Sequence, residues 1–80
     1  MKVRAWLFAV YRDWAGRDRL ELELAPGATV ADAVAAARRF PGLERLPAAP
    51  VVAVNEVYAA PEAPLADGDE LALLPPVSGG

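Results

Sequence analysis

Between Val3 and Val10, the residues Val3, Ala5, Leu7 and Ala9 alternate with Arg4, Trp6, Phe8 and Val10. That two-residue period predicts a first strand with one face toward a core. Leu20, Leu22 and Leu24 alternate with Arg19, Glu21 and Glu23 until Pro26-Gly27 breaks the chain, so a second strand has one dry and one wet face. The period then changes. Val30, Ala33, Val34 and Ala37 fall on one helical stripe, and Thr29 with Asp32 three positions on forms a capping box with Asp in place of the usual Glu. Arg38 and Arg39 are expected in the last turn, where cations suit the helix dipole, and Phe40-Pro41-Gly42 ends a helix of about ten residues. Leu43 to Pro50 reads as a loop with room for one helical turn. Val51 to Val54 is a short apolar strand, Asn55-Glu56 a tight turn and Val57 to Ala59 a returning strand. Pro61 to Leu65 crosses over to the turn Asp67-Gly68-Asp69, which leads into a last strand, Glu70 to Leu74.

The predicted order is therefore ββαβββ, which fits an α+β chain of the β-grasp (ubiquitin-like) kind, a mixed sheet covered on one face by one helix. The chain divides into a domain over residues 1–74 and an extended tail over 75–80. Strand parity also predicts what the uncovered face carries. Arg4 shares a face with Trp6 and Phe8, so that face is the open one; in the last strand Leu71 and Leu73 then point inward while Glu70, Ala72 and Leu74 point out. The first and last strands lie side by side in such folds, which brings Phe8 and Leu74 into one apolar patch at the base of the tail, with Tyr58 a candidate to join it. Exposed apolar patches mark partner sites.

Composition narrows the chemistry. Eighty residues make one domain with one small core, too small to enclose a large active site. Eleven acidic against eight basic residues leave a net charge of -3, with basic residues scattered singly apart from Arg38-Arg39, so nucleic acid is not an expected partner. There is no cysteine and no histidine, which removes thiolate chemistry, disulfides and the usual general base. The apolar run from Ala5 to Val10 is too short to span a membrane and carries no secretory cleavage pattern, so no membrane association and a cytoplasmic location are expected. No metal site is expected.

What remains is the tail Pro75-Pro76-Val77-Ser78-Gly79-Gly80. The two proline rings fix φ and favour an extended spacer leaving the sheet, while two glycines without side chains can pass through a narrow tunnel. A carboxylate is a poor electrophile, but conversion to an acyl-adenylate supplies a leaving group that sulfide or an amine can displace. The chain has no glycine-rich phosphate loop followed by Lys, and its one lysine is Lys2, so no cofactor is expected on the chain itself and ATP is assigned to an activating partner. By this reading Gly80 is the reacting group. Three readings stay open here: a sulfur carrier, a modifier joined to target lysines, and a scaffold with an inert end.

Leu7-Phe8-Ala9 followed by Arg12-Asp13, Ala53-Val54-Asn55, and above all Leu65-Ala66-Asp67-Gly68-Asp69-Glu70 running to Pro75-Pro76-Val77-Ser78-Gly79-Gly80 resemble the small subunit of molybdopterin synthase, a ubiquitin-like sulfur carrier. The resemblance covers essentially the whole chain. It implies that an E1-like adenylyltransferase activates Gly80, that a sulfur donor converts it to a thiocarboxylate, and that the tail then enters the large synthase subunit to deliver sulfur to a pterin precursor; a related sulfur carrier for thiamine or transfer RNA thiolation would share the same tail chemistry. By position, Phe8, Tyr58 and Leu74 match the family's apolar contact surface and Arg12 a charged contact. Tyr58 and Leu74 stand where other members carry different apolar side chains, so apolar character carries over better than any single contact.

Overall fold

A computed structural model describes residues 1–76 and contains five strands and two helices: β1 (Lys2–Leu7), α1 (Ala9–Ala15), β2 (Arg19–Glu23), α2 (Val30–Ala37), β3 (Val51–Val54), β4 (Val57–Ala59) and β5 (Glu70–Leu74). The strands form one mixed sheet in the order β2-β1-β5-β3-β4. β1 and β5 run parallel at its centre, and the other pairs are antiparallel. The fold is the expected β-grasp, with one added element.

That element is α1, between the first two strands, where the predicted order ββαβββ has no helix. β1 stops at Leu7 rather than continuing to Val10, and the chain turns into α1 through Ala9 at φ 51°. Phe8 stands at the N-cap with extended backbone and no side-chain cap, no acidic residue supports the first turn, and Gly16 closes the helix at φ 70° by donating its N–H to the Arg12 carbonyl. Tertiary packing holds this short helix. Tyr11 is fully buried, its ring lies 5.5 Å from that of Trp14, and the Arg45 guanidinium sits 4.3 Å over Trp14. Gly42, at φ 91°, passes so close to the Trp14 carbonyl that any Cβ there would collide with it.

The long helix α2 matches its sequence signals at the N-terminus. The Thr29 hydroxyl accepts from the Asp32 N–H, and the Asp32 carboxylate accepts from the Thr29 N–H. Val30 and Ala31 donate to the carbonyls of Ala63 and Pro61, so the crossover segment satisfies amides that the first turn leaves unpaired. The C-terminus comes earlier than expected: α2 has eight residues, Arg38 is its C-cap, and neither Arg38 nor Arg39 lies within the last turn. Val30, Ala33, Val34 and Ala37 pack onto Val3, Ala5, Leu7, Leu20, Leu22, Leu71 and Leu73 to form the core. Leu43 and Leu46 close its end from the following loop.

Candidate functional site

Both central strands end at the edge from which the tail departs, because β1 and β5 are parallel with Leu7 opposite Leu73. Phe8 and Leu74 are the next residues at that edge, Phe8 with extended backbone as the cap of α1 and Leu74 as the last residue of β5. Leu74 in turn pairs with Val51 across the antiparallel β3–β5 ladder. An apolar row, Phe8, Leu74 and Val51, thus crosses the open face directly before Pro75. Phe8 and Val51 are 43% and 46% exposed, and Leu74 and Pro75 are half-buried. Pro76 is exposed.

The next row inward is Trp6, Ala72, Ala53 and Tyr58, set by the pairings Trp6–Ala72, Ala72–Ala53 and Ala53–Tyr58. Tyr58 is 75% exposed on the edge strand. Small side chains at Ala72 and Ala53 leave a trough between the larger ones. With Phe8 at one end and Glu70, Asn55 and Glu56 at the other, the trough is an open groove of about 550 Å³. Trp6 forms one wall and is held from two sides: its indole N–H donates to a Glu70 carboxylate oxygen at 2.7 Å, and the Arg19 guanidinium lies 5.5 Å over the ring.

A third row is charged. Arg4 lies between Glu21 and Glu70 and bridges to them at 3.2 Å and 4.0 Å. All three side chains are substantially exposed, so the bridges order the face more than they stabilise the fold. Beyond this row the Asp67–Glu70 segment proves structural. Asp67 accepts from the Lys2 N–H, Asp69 accepts from the Ala66 N–H, and the Asn55 amide links β3 to β5 by donating to Asp69 and accepting from the Glu70 N–H. The Ala53-Val54-Asn55 and Leu65–Glu70 blocks therefore build the platform from which β5 launches the tail.

Of the residues singled out from the sequence, Phe8, Leu74 and Pro75 come together at one edge of the open face. Tyr58 lies on the same face but outside the groove, and Arg12 is exposed on α1 rather than in a loop. Val77, Ser78, Gly79 and Gly80 lie outside the described residues. Trp6 and Glu56 were not singled out as site residues. Strand parity had already placed Trp6 on the open face; Glu56 was signalled only by its place in a two-residue turn. Among the described residues no group of His, Cys, Asp or Glu could hold a metal ion, and no helix is long and apolar enough to cross a membrane.

Three relatives set this arrangement in context. The molybdopterin synthase sulfur carrier subunit of Arabidopsis thaliana is 35% identical over 81 residues, covering all of this chain and 84% of that one. The crystal structure of the small archaeal modifier protein SAMP1 from Haloferax volcanii superposes with a TM-score of 0.88 at 36% identity, covering both chains fully. The complex of subunits 1 and 2 of molybdopterin-converting factor from Helicobacter pylori contains a chain that superposes with a TM-score of 0.71 at 25% identity, again over both full lengths. The model of the ThiS family matches residues 5–80, nearly the whole sequence including the tail, and the chain belongs to the ThiS family.

Proposed function

We propose that this chain is the sulfur carrier subunit of molybdopterin synthase, acting through the C-terminal carboxylate of Gly80. The observation that carries this reading is the placement of the tail base: parallel β1 and β5 end at one edge, Leu7 opposite Leu73, with the exposed Phe8 following one and Leu74 and Pro75-Pro76 following the other. A partner gripping that apolar row holds the origin of the tail at a fixed point and leaves the last residues to reach into its own site. Support also comes from the full-length similarity to a molybdopterin synthase sulfur carrier subunit and from the subunit 1–subunit 2 complex of a structural relative.

The chemistry follows from what the chain lacks. With no cysteine or histidine in the sequence, its part is to present an acyl group. An adenylyltransferase joins the Gly80 carboxylate to the α-phosphate of ATP and releases pyrophosphate. A sulfur donor at the sulfide level then displaces AMP to leave a thiocarboxylate, and transfer of that sulfur to a pterin precursor in the large subunit, with water supplying the oxygen that replaces it on the acyl carbon, returns the carboxylate. The groups of this chain that meet each partner are Phe8, Tyr58 and Leu74 through apolar contact and Arg12 through charge. Pro75, Pro76, Val77, Ser78 and Gly79 thread the tail. The cycle is placed in the cytoplasm, where ATP is available.

A second reading has a specific observation behind it: the likeness to SAMP1, a small archaeal modifier protein. In that reading an amine of a target lysine attacks the same adenylate. Mass spectrometry of chain purified from its native host separates the two. A carrier shows one oxygen of the intact chain replaced by sulfur, and a modifier appears in larger lysine-linked conjugates. Deleting Gly80 is expected to abolish sulfur delivery with the melting temperature unchanged. Neither product in the presence of the adenylyltransferase and a sulfur donor would refute both readings.

A further inference from the structure

The β3–β4 turn breaks a local rule of chain geometry. Its two central residues, Asn55 and Glu56, both have positive φ, 49° and 72°. Two-residue hairpin turns of this hand favour Asn followed by Gly, because a Cβ is strained in the left-handed region. Asn55 is the tolerated residue at the first position, and its amide is used twice in holding β5. Glu56 occupies the position that suits Gly. Among the described residues its carboxylate joins no ion pair and accepts no hydrogen bond, so the fold gains nothing visible from it.

Glu56 instead lines the groove at the end away from Phe8, where the Asn55 N–H next to it donates to the Glu70 carbonyl. Glu70 is partly engaged already, by the Trp6 indole at 2.7 Å and by Arg4 at 4.0 Å. Glu56 is the unmatched charge. The groove therefore has an apolar end at Phe8 and an acidic end at Glu56 and Glu70, four residues apart along the strands or about 13 Å, with Trp6 between them reaching to Glu70. It is continuous with the Phe8–Leu74 row.

We propose that this groove seats a segment of the protein that receives the tail, in which an apolar side chain is followed by an arginine or lysine: the apolar group lies between Phe8 and Trp6, and the cation lies at Glu56 and Glu70. The proposal rests on the carrier reading above and adds the charge of the partner's docking segment. Charge complementarity across a rim governs encounter and register more than it governs raw affinity. A Glu held at a strained turn position without an internal partner is consistent with stability given up for binding.

The test uses the full chain and the molybdopterin synthase large subunit of the same organism, titrated calorimetrically at low and high salt, with melting curves of each carrier variant alone. Glu56→Gly is expected to melt higher than wild type, to bind about fivefold weaker, and to lose part of the salt dependence. Glu56→Lys is expected to bind more than about twentyfold weaker, since a like charge then faces the partner's cation. Wild-type affinity and salt dependence in Glu56→Gly would overturn the proposal while leaving the carrier reading intact. A lower melting temperature in Glu56→Gly would also overturn it, because the side chain would then serve the fold. Dimerisation of the isolated chain that Glu56→Lys abolishes would assign the groove to a second copy instead. Absence of any binding by the wild-type chain would remove the carrier reading and this proposal together.

Discussion

The covered and open faces of the sheet are made from alternate residues of the same strands, yet they follow opposite rules. Under the helices, Val3, Ala5, Leu7, Leu20, Leu22, Leu71 and Leu73 are all at or below 3% exposure, and no buried charged side chain interrupts them among the described residues. One residue along, Arg4, Trp6, Phe8, Ala72 and Leu74 pass from charged to apolar toward the edge where the tail leaves. The covered face is uniform because any polar group there would be stripped of water without a partner. The open face is graded because water covers its charged end, while its apolar end awaits a surface to cover it. A chain this short cannot bury both faces. It folds on one and offers the other.

The largest expected effects come from two substitutions three positions apart on β5, one on each face of the sheet. Leu71→Ala empties a fully buried site and is expected to cost about 2–5 kcal/mol, a large share of the roughly 4–12 kcal/mol available to a domain of this size. Leu74→Ala truncates a half-buried side chain on the other face and is expected to cost less than about 1 kcal/mol. In titrations with the large subunit, Leu74→Ala and Phe8→Ala are each expected to weaken the complex about tenfold or more, as loss of an apolar anchor does. Urea denaturation and calorimetry read the two effects separately. Equal stability losses at Leu71 and Leu74, or unchanged affinity at both Phe8 and Leu74, would mean that the two faces do not divide the work this way.

A smaller effect sharpens the covered side alone. Gly42 meets the end of α1 at φ 91°, and a methyl group there would run into the Trp14 carbonyl and approach the Ala15 backbone. Gly42→Ala is therefore expected to cost about 1–3 kcal/mol through combined backbone strain and displacement of α1. Because Trp14 and Ala15 lie at the end of α1 away from Phe8, the folded fraction should lose affinity for the large subunit only as far as Arg12 is shifted, and less than Phe8→Ala loses. A loss as large as that of Phe8→Ala would couple the far end of α1 to the open face.

How much of this was legible follows from which signals are local. The parity of β1 and β5 is local, and it placed Leu71 and Leu73 inside and Trp6 and Phe8 outside. The Thr29–Asp32 capping box is also local and marked the start of α2. The sequence predicts strand through Val10 and no helix there because the N-terminus of α1 carries no local signal: Phe8 supplies no cap, no acidic residue lies in the first turn, and Ala9 adopts a left-handed φ without being Gly or Asn. Tyr11, Trp14 and Ala15 at helical spacing and Gly16 just after them were the available clues. Arg38 and Arg39 lie beyond the last turn of α2, where the helical ladder gives way to tighter turns in which the Arg39 and Phe40 N–H groups donate to the Ala36 and Ala37 carbonyls. The groove was not legible at all, since it depends on two alanines from β3 and β5 meeting across the sheet.

The smallest expected effect tests the covered face where it departs from its own rule. Tyr11 on α1 is buried at 2% exposure, and its hydroxyl has no hydrogen-bond partner among the described residues. Burial pushes its phenol pKa above the usual 10.0, because the phenolate is the form that burial penalises. A group whose folded pKa is raised contributes stability that is fully present below the unfolded value and is lost as pH rises through the folded one. The wild-type chain is therefore expected to weaken above about pH 10 in a way that Tyr11→Phe does not. At neutral pH, Tyr11→Phe deletes an unsatisfied hydroxyl while keeping the ring against Trp14, so the variant is expected to be unchanged or more stable by up to about 1 kcal/mol. Melting curves of both proteins at pH 7 and across the alkaline range measure both parts. A destabilised Tyr11→Phe at neutral pH would mean that the hydroxyl has a partner that matters, and the covered face would then hold a polar anchor beneath α1 as well as an apolar core.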